Sequence, residues 1–382
     1  MIIEQFKQIH AWRDPQLIKR KRSKMSRDPV AFFRGSPHLF YQAMAKQLDV
    51  QSPWWWICGD LHVENFGTFK WLDNEIYFDI NDFDEANWWQ IHRDLVRLMT
   101  SIAITYQVSG ATHAQMLEIV QYTQDLYVSM LLDGKVGNLH EFDDNTLVQE
   151  HIDRKVVHKD QKKFIAKTTK NNHIIRSDEF VDIPLSSHRE IEEILGDILH
   201  HFRGTKIHDI VRHVCGNSSL WLRRYAVLIQ WHKKNSSHIL DLKQASSSII
   251  KTHTDHAHRD NDAERIVSIQ KIMQADSPFL LSTLMIGNTP FIIKEMQPTE
   301  SKISFGSHHK HEINKKLIGE MIHILVHDQL SACDILWAVT LPDMMEYTQK
   351  LHLDTSFVLF ALQFADQNNN LYQQFCQELN NN

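Results

Sequence analysis

A short aromatic strand and two acidic loops, all within residues 54–85, restrict most strongly how this chain can fold. Residues 54–58 are aromatic and apolar, which predicts a buried strand. Polar residues follow at once, and apolar–polar alternation returns in residues 66–71 and 76–78 around a turn at Asp73-Asn74. Because only this hairpin separates the two acidic loops, we expect them to converge on one point.

The two loops carry oxygen ligands at spacings that suit phosphoryl transfer. Asp60 and Asn65 form the pattern D-x-x-x-x-N, and Asp82 follows the hairpin in Asn81-Asp82-Phe83. Magnesium in such sites binds one or two carboxylates together with substrate phosphates, while a separate Asp accepts or orients a hydroxyl proton. The spacing predicts Asp60 as the base and Asn65 and Asp82 as Mg²⁺ ligands. The alternative is that these acids only cap turns.

Four stretches of the chain resemble the bacterial domain of unknown function 2252 (DUF2252) family. They are Lys24-Met25 with Phe32-Phe33-Arg34-Gly35, the loop Gly59-Asp60-Leu61-His62-Val63-Glu64-Asn65, the loop Asn81-Asp82-Phe83-Asp84-Glu85, and the helix Asp94-Leu95-Val96-Arg97-Leu98. A weaker similarity at Phe364-Ala365-Asp366-Gln367 extends the resemblance over most of the chain.

The resemblance implies a protein-kinase-like fold related to aminoglycoside and choline phosphotransferases. It makes Asp60 the catalytic base and Asn65 and Asp82 the magnesium ligands, with His62 bracing the catalytic loop and Asp94 anchoring it from the next helix. Two further acidic residues would support the site: Glu64 and Asp84.

A kinase also needs a lysine that holds the α- and β-phosphates of ATP, normally on a strand before the catalytic loop. No strand with such a lysine is predicted before Asp60. Lys294 lies on a predicted strand, residues 291–295, and Lys294-Glu295-Met296 resembles the later K-E-A segment of the family. This favours a permuted order, in which the nucleotide-binding strands follow the catalytic loop. The alternative is a lysine on the outer surface of that strand.

A glycine-rich G-x-G-S-x-G turn precedes that strand in the family, and its backbone amides could bind phosphate. We take residues 266–272 as the corresponding region, and they contain no glycine. Without glycine the backbone cannot approach a phosphate as closely. Arg34, Lys271 or the basic run at residues 19–24 would then have to contact the phosphates of ATP instead.

Composition favours a cytoplasmic protein without a membrane or nucleic-acid partner, and the family resemblance implies a bacterial one. The net charge is −6, no stretch approaches the ~18 apolar residues of a membrane span, and the first residues lack an apolar signal region. Four cysteines without C-x-x-C spacing suit a reducing compartment. Histidines cluster at residues 253–258 and 308–311. They lack zinc-site spacing, so a solvated surface is favoured over a metallohydrolase.

The whole pattern predicts an α+β, two-lobed, kinase-like fold with a helix-rich large lobe. We divide the chain into four segments: a basic N-terminal arm (1–36), a catalytic lobe (37–250), a small β-containing segment (251–305) and a C-terminal helical segment (306–382). Within the catalytic lobe, helices are predicted from a capping box at Ser187 and over residues 220–229.

The predicted function is a phosphotransferase that uses Mg²⁺ and ATP to modify a hydroxyl of a small molecule or a protein. Nucleotidyl transfer from the same site and a pseudoenzyme that binds without turnover stay open as alternatives. The sequence leaves the substrate and the oligomeric state undetermined.

Overall fold

The computed structural model contains helices, one six-stranded antiparallel sheet and shorter two-stranded sheets. It describes residues 2–4, 15–70, 76–134, 148, 154–199, 205–215, 222–231, 236–249, 261–274, 277–278, 280–296, 305, 311–336, 341–352 and 354–381. The α+β class is therefore confirmed. Among these residues, no helix combines the length and the apolar character needed to cross a bilayer.

The helices, in chain order, are α1 (Pro15–Met25), α2 (Pro29–Gly35), α3 (Pro37–Gln47), α4 (His92–Val108), α5 (His113–Asp133), α6 (Arg154–Thr168), α7 (Leu185–Leu199), α8 (Asp262–Met273), α9 (His311–Leu336), α10 (Leu341–His352) and α11 (Ser356–Asn380). The strands are β1 (Trp54–Ile57), β2 (Phe66–Lys70), β3 (Ile76–Ile80), β4 (Asn87–Gln90), β5 (Thr169–Lys170), β6 (His173–Ile174), β7 (Phe180–Val181), β8 (Thr205–His213), β9 (Arg224–Trp231), β10 (Ser236–Gln244), β11 (Ser282–Ile286) and β12 (Thr289–Glu295). A 3₁₀ turn covers Val63–Asn65.

Helix α4 forms the centre of the helical part. Residues 92–106 are all buried, and the helix packs against α2, α5 and α11. A helix that is buried on all sides is a core element. The chain turns at Gly110, whose φ of 80° ends the helical run, and Thr112 then caps α5 through a capping box. Helices α4 and α5 are therefore separate, and they pack against each other.

The short elements around the acidic loops agree with the sequence-based prediction. The aromatic strand is β1, and the hairpin is β2 paired with β3 from Phe66 opposite Ile80 to Lys70 opposite Ile76. Its predicted turn at Asp73-Asn74 lies outside the described residues. The predicted strand at residues 291–295 lies in β12, which pairs with β11 across a turn at Gly287 with a φ of 56°.

The six-stranded sheet has the order β11-β12-β10-β9-β8-β7. Alternate residues of each strand point to opposite faces, so Leu240 and Leu242 pack with α7 while Asp241 and Lys243 lie on the other face. Asp241 stands directly opposite Lys294 of β12. One face of the sheet is therefore apolar, and the other carries charges in its central strands.

Two local predictions in this region are wrong. The described part of residues 220–229 is not helical, because it enters strand β9 (Arg224–Trp231), whose middle residues are buried on both faces. A central strand of this kind has no period of two and resembles a buried helix in sequence. Helix α7 begins at Leu185, so Ser187 lies inside the helix and does not cap it.

Two features of the structure bear on the predicted division into segments. The sheet takes β7–β10 from the predicted catalytic lobe and β11–β12 from the predicted small segment, so it crosses the boundary at residue 250. The basic N-terminal arm contains α1 and α2, and Ile3 and Phe32 pack with Phe375 of α11. The division itself and the kinase-like arrangement of two lobes stay predictions.

Two buried carboxyl groups connect the acidic hairpin to α9. Asp79 of β3 is 2% exposed and Asp328 of α9 is 0% exposed. Burial, together with the negative charge of the other carboxyl, raises the pKa of Asp79 well above its usual range, and burial does the same for the pKa of Asp328. Each carboxyl therefore retains its proton in the folded protein over a pH range in which it is ionised in the unfolded chain.

We expect Asp328→Asn to reduce the pH dependence of stability. A carboxyl with a raised pKa in the folded state contributes stability below its unfolded pKa and loses that contribution as the pH rises. The fall in the free energy of unfolding between pH 5 and pH 8 should be smaller in the variant by about 1 kcal/mol or more. Urea denaturation at both pH values measures this, with Asp178→Asn at an exposed carboxylate as control. An unchanged slope would contradict the account.

Candidate functional site

The loop after β1 is held by the carboxylate of Asp94. Cys58 N donates to Asp94 Oδ2 at 2.8 Å and Gly59 N donates to Oδ1 at 3.0 Å. Gly59 has a φ of 84°, which favours glycine, and its carbonyl accepts from the Tyr41 hydroxyl. Burial raises the pKa of Asp94 to about 7, although the two backbone N–H groups favour its charged form. Asp94 thus has the anchoring position that the resemblance implies.

Asp60 points its carboxylate at a buried arginine. Arg97 donates to Asp60 Oδ1 from Nε at 2.9 Å and from Nη2 at 2.8 Å. The guanidinium lies 3.7 Å from the centre of the Phe33 ring and also donates to the Phe33 carbonyl. Burial raises the pKa of Asp60, Arg97 opposes this shift, and the charge of Asp82 adds to it. The sequence analysis did not predict that Arg97 binds Asp60. Its position three residues after Asp94, on the same helix, was the available signal.

Asn65 joins the two acidic loops. Its Nδ2 donates to the Asp60 carbonyl at 3.2 Å and to the Asp82 carbonyl at 3.0 Å, while its own backbone carbonyl accepts from Asn81 N at 2.9 Å. The residue is buried. Both side-chain hydrogen bonds use the amide nitrogen, so a metal ion would be bound through Oδ1. The loops therefore converge as the sequence predicts.

A lysine from the sheet contacts the second acidic loop. Lys243 of β10 forms an ion pair with Asp84, and its Nζ lies 3.7 Å from Asp82 Oδ1. Asp84 N also donates to Asp82 Oδ1 at 3.2 Å. Burial and the charge of Asp82 raise the pKa of Asp84. Burial lowers the pKa of Lys243, but the two carboxylates outweigh it and the pKa ends above its usual value.

Lys294 lies over the same loop. Its Nζ donates to the Asn81 carbonyl at 3.2 Å, and burial lowers its pKa. The lysine therefore faces the acidic loop and not the outer surface of the sheet. A small cleft that is partly open to solvent lies at this point. It is lined by Asp82, Phe83, Asp84, Asp241, Lys243, Ile266, Gln270, Ile292 and Lys294.

Helix α8 and the segment that follows β10 hold the acidic loop in place. Arg265 is 4% exposed and donates to the carbonyls of Ala86, of Asp84 and of Ser246. Glu85 accepts from Ile249 N at 2.6 Å, and burial raises its pKa to about 7. The position of Asp82 and Asp84 therefore depends on residues that are distant in sequence and that sequence reasoning did not find.

Asp241 extends the charged face of the sheet beyond the two lysines. Burial raises the pKa of Asp241, but the charge of Arg224 and hydrogen bonds from His213 and Arg224 outweigh it, so the pKa lies far below its usual range. Arg224 donates to Asp241 Oδ1 at 2.5 Å and to Oδ2 at 2.6 Å. Asp241 is thus a fixed anion opposite Lys294 in the sheet.

Three predicted residues lie on the other side of Asp60. Arg34 forms an ion pair with Glu64 and donates from Nε to His62 Nε2 at 3.4 Å. Its positive charge lowers the pKa of Asp60, but Arg34 does not line the cleft. The structure therefore brings together Asp60, Asn65, Asp82, Asp84 and Lys294. Arg34, His62 and Glu64 form a separate group beside the base.

The expected position of the glycine-rich turn is wrong. Residues 266–272 form the interior of α8, where glycine would weaken a helix, so their lack of glycine says nothing about phosphate binding. Lys271 is exposed on that helix and does not line the cleft. The connection between β8 and β9 contains Gly216, but residues 216–221 lie outside the described residues.

The donor set of the cleft suits a hard cation. Asp82 and Asp84 line the cleft and offer carboxylate oxygens, and Asn65, which donates to the Asp82 carbonyl, offers an amide oxygen. The Asp82 side chain is 53% exposed. In the described part of the chain, no group of three or more His, Cys, Asp and Glu side chains could hold a metal ion. Residues 253–258 and 308–309, which contain most of the clustered histidines, lie outside that part. Asp82 and Asn65 are the residues that could hold a magnesium ion together with a phosphate ligand.

We expect Asp94→Ala to destabilise the protein by about 2–4 kcal/mol, because two buried N–H groups lose their acceptor. Asp94→Asn keeps one carbonyl oxygen and should lose about half as much. Chemical denaturation at pH 7 of the two variants and the wild type measures the difference. Equal stability of the alanine and asparagine variants would show that the hydrogen bonds do not hold the loop.

Comparison with known proteins places the chain in one family. No curated protein and no solved structure matches the chain. The family described as "Uncharacterized protein conserved in bacteria" (DUF2252) matches residues 13–378. This match covers both acidic loops, the sheet with Lys243 and Lys294, and the C-terminal helices. The chain therefore belongs to the DUF2252 family.

Proposed function

We propose that the protein is a magnesium-dependent phosphotransferase that moves the γ-phosphoryl group of ATP to a hydroxyl of a small molecule or a protein. The observation that carries the proposal is the meeting of Lys243 and Lys294 with the loop of Asp82 and Asp84. Phosphoryl transfer is catalysed mainly by positioning and by charge, and it needs cations for the phosphates next to metal-binding carboxylates. The cleft supplies both groups.

We assign each role in this reaction to particular residues of the chain. Lys294 and Lys243 would bind the phosphate oxygens, and Asp82 and Asn65 would hold the cation. Magnesium, when bound, would neutralise charge that develops on the phosphates. Asp60 would accept or orient the proton of the attacking hydroxyl. Burial raises the pKa of Asp60, which makes its carboxylate a stronger proton acceptor than an exposed aspartate.

One observation favours a second candidate function. Arg97 donates two hydrogen bonds to Asp60 Oδ1, and this contact stabilises the ionised carboxylate. A carboxylate held in this way is a weaker proton acceptor, which would suit a protein that binds a nucleotide without turnover. Transfer of the nucleotidyl group is a third outcome, because the same residues would serve a nucleotide bound in the reverse direction.

We expect Mg²⁺ with ATP to raise the melting temperature of the wild-type protein, and ATP with a chelator to have no such effect. A ligand at 100 times its Kd stabilises the folded state by about 2.7 kcal/mol. Lys294→Ala and Asp82→Ala should each lose most of the shift. Lys271→Ala, which removes an exposed lysine on the neighbouring helix, is the matched control and should keep it.

The melting-temperature shifts of the variants show whether the nucleotide binds in the cleft. An equal shift in Lys294→Ala and Lys271→Ala would place nucleotide binding elsewhere and contradict the proposed cleft. Absence of any shift with every nucleoside triphosphate tested would contradict the phosphotransferase and the nucleotide-binding pseudoenzyme together.

We expect Asp60→Asn to keep the stabilisation by Mg²⁺ and ATP but to lower turnover at least about 100-fold, as removal of a general base does. Release of ADP and of pyrophosphate from ATP by the purified protein measures turnover and separates phosphoryl from nucleotidyl transfer. Asp178→Asn, which changes an exposed carboxylate, is the control. Wild-type binding without either product would favour the pseudoenzyme.

A further inference from the structure

One buried arginine in the first turn of α4 has no carboxylate partner among the residues that the structure describes. Arg93 is 7% exposed, and burial lowers its pKa to about 10, so its guanidinium keeps a positive charge at neutral pH. Within the described chain, Tyr41 is the one group whose charge opposes this shift. Burial raises the pKa of Tyr41 well above its usual value, and its neutral hydroxyl donates to the Gly59 carbonyl. No described side chain therefore balances the charge of Arg93 at neutral pH.

The guanidinium of Arg93 is also incompletely hydrogen-bonded. Its Nη2 donates to Gln90 Oε1 at 2.7 Å, whereas Nε and Nη1 are buried and form no hydrogen bond with the described part of the chain. The guanidinium carbon lies 3.5 Å from the centre of the Trp89 ring, which attracts the cation but accepts no strong hydrogen bond. Burial of a donor without an acceptor is unfavourable, and burial of a charge without a counter-charge is more so. An anion would supply both the acceptor and the counter-charge.

The other two buried arginines of the described chain are paired with carboxylates. Arg97 donates to Asp60 Oδ1 at 2.9 Å from Nε. Arg265 Nε lies 3.2 Å from Asp262 Oδ1. Arg93 is thus the exception to the way in which this protein buries arginine.

The position of Arg93 in α4 adds to the local positive potential. It is the second residue of this 17-residue helix, and Ile91 before the helix forms no side-chain capping bond. The N-terminal end of a helix attracts anions, because its first N–H groups point outward and the positive end of the helix dipole lies there. The guanidinium reaches back past Ile91 to Gln90, so its charge lies at the same end of the helix.

A surface segment runs close to Arg93. Gln90, which accepts from Arg93, also donates from Nε2 to the Val50 carbonyl at 3.1 Å. Val50 belongs to residues 48–53, which have no regular secondary structure and carry exposed side chains at Asp49 and Gln51. Arg93 is therefore one side chain away from the surface of the protein.

We propose that the N-terminal end of α4 is a binding site for a small oxyanion, a phosphate or a carboxylate, which Arg93 binds. The anion neutralises the guanidinium and stabilises the first turn of the helix that carries Asp94 and Arg97. None of the residues that line the cleft lies on α4, so this site is separate from the proposed nucleotide site and does not depend on it.

The melting temperature of the full chain tests the proposal in potassium phosphate, potassium acetate and potassium chloride of equal ionic strength at pH 7. We expect phosphate, acetate or both to raise the melting temperature above its value in chloride, increasingly with concentration. The phosphate and acetate arms show which of the two oxyanions the site accepts. Part of a rise in phosphate is nonspecific, because this ion strengthens the burial of apolar surface in any protein, and variants identify the specific part.

Arg93→Gln should weaken the apparent affinity for the anion at least about tenfold, as expected for the loss of a charge-assisted hydrogen bond. Arg189→Gln, which removes an exposed arginine on α7, is the matched control and should keep the wild-type affinity. Lys294→Ala should keep it as well, because that lysine lies in the cleft.

Hydrogen exchange of the wild-type chain provides a second test if Arg93→Gln does not fold. Phosphate or acetate should slow amide exchange in residues 48–53 and in the first turn of α4, relative to chloride. Equal responses of Arg93→Gln and the wild type would overturn the proposal. So would a response that depends on Lys294 and not on Arg93, or protection confined to the peptides that contain Lys243 and Lys294, because the anion would then bind in the cleft.

Discussion

The ion pair between Lys243 and Asp84 joins two parts of the chain that are 159 residues apart. One part is the acidic hairpin, which Asp94 holds against the central helix. The other is the charged face of the six-stranded sheet, where Lys294 reaches the same loop. A partly buried pair of this kind is costly to break, because removal of either partner leaves an uncompensated charge. The cleft exists only while both parts stay in contact.

The charges in the cleft are arranged so that contacts with a ligand can replace ion pairs within the protein. Lys243 lies between Asp84 and Asp82, and Asp82 is the carboxylate that we assign to the cation. A divalent cation at Asp82 would weaken the attraction between the loop and Lys243. Phosphate oxygens could then bind Lys243 instead. Metal and nucleotide are therefore expected to bind together, and the backbone clamp at Arg265 would keep the loop in place meanwhile.

What the sequence predicted correctly is local. Asp60, Asn65 and Asp82 lie on either side of one hairpin, so strand alternation and loop length were enough to predict that they meet. Lys243 was missed because its contact with Asp84 depends on strand pairing across the sheet, which no local pattern contains. The sequence pattern of strand β9 predicts a helix for a related reason, since burial on both faces removes the alternation that marks a strand.

The central claim is that Lys243 and Lys294 belong to the same nucleotide site as Asp82. An ATP acyl phosphate tests it most directly, because this reagent transfers its acyl group to a lysine beside the bound phosphates, and peptide mass spectrometry then identifies the labelled residue. The account predicts labelling of Lys294 or Lys243 that excess ATP with Mg²⁺ blocks and that Asp82→Ala reduces. Labelling confined to exposed lysines such as Lys271, unaffected by ATP, would contradict it.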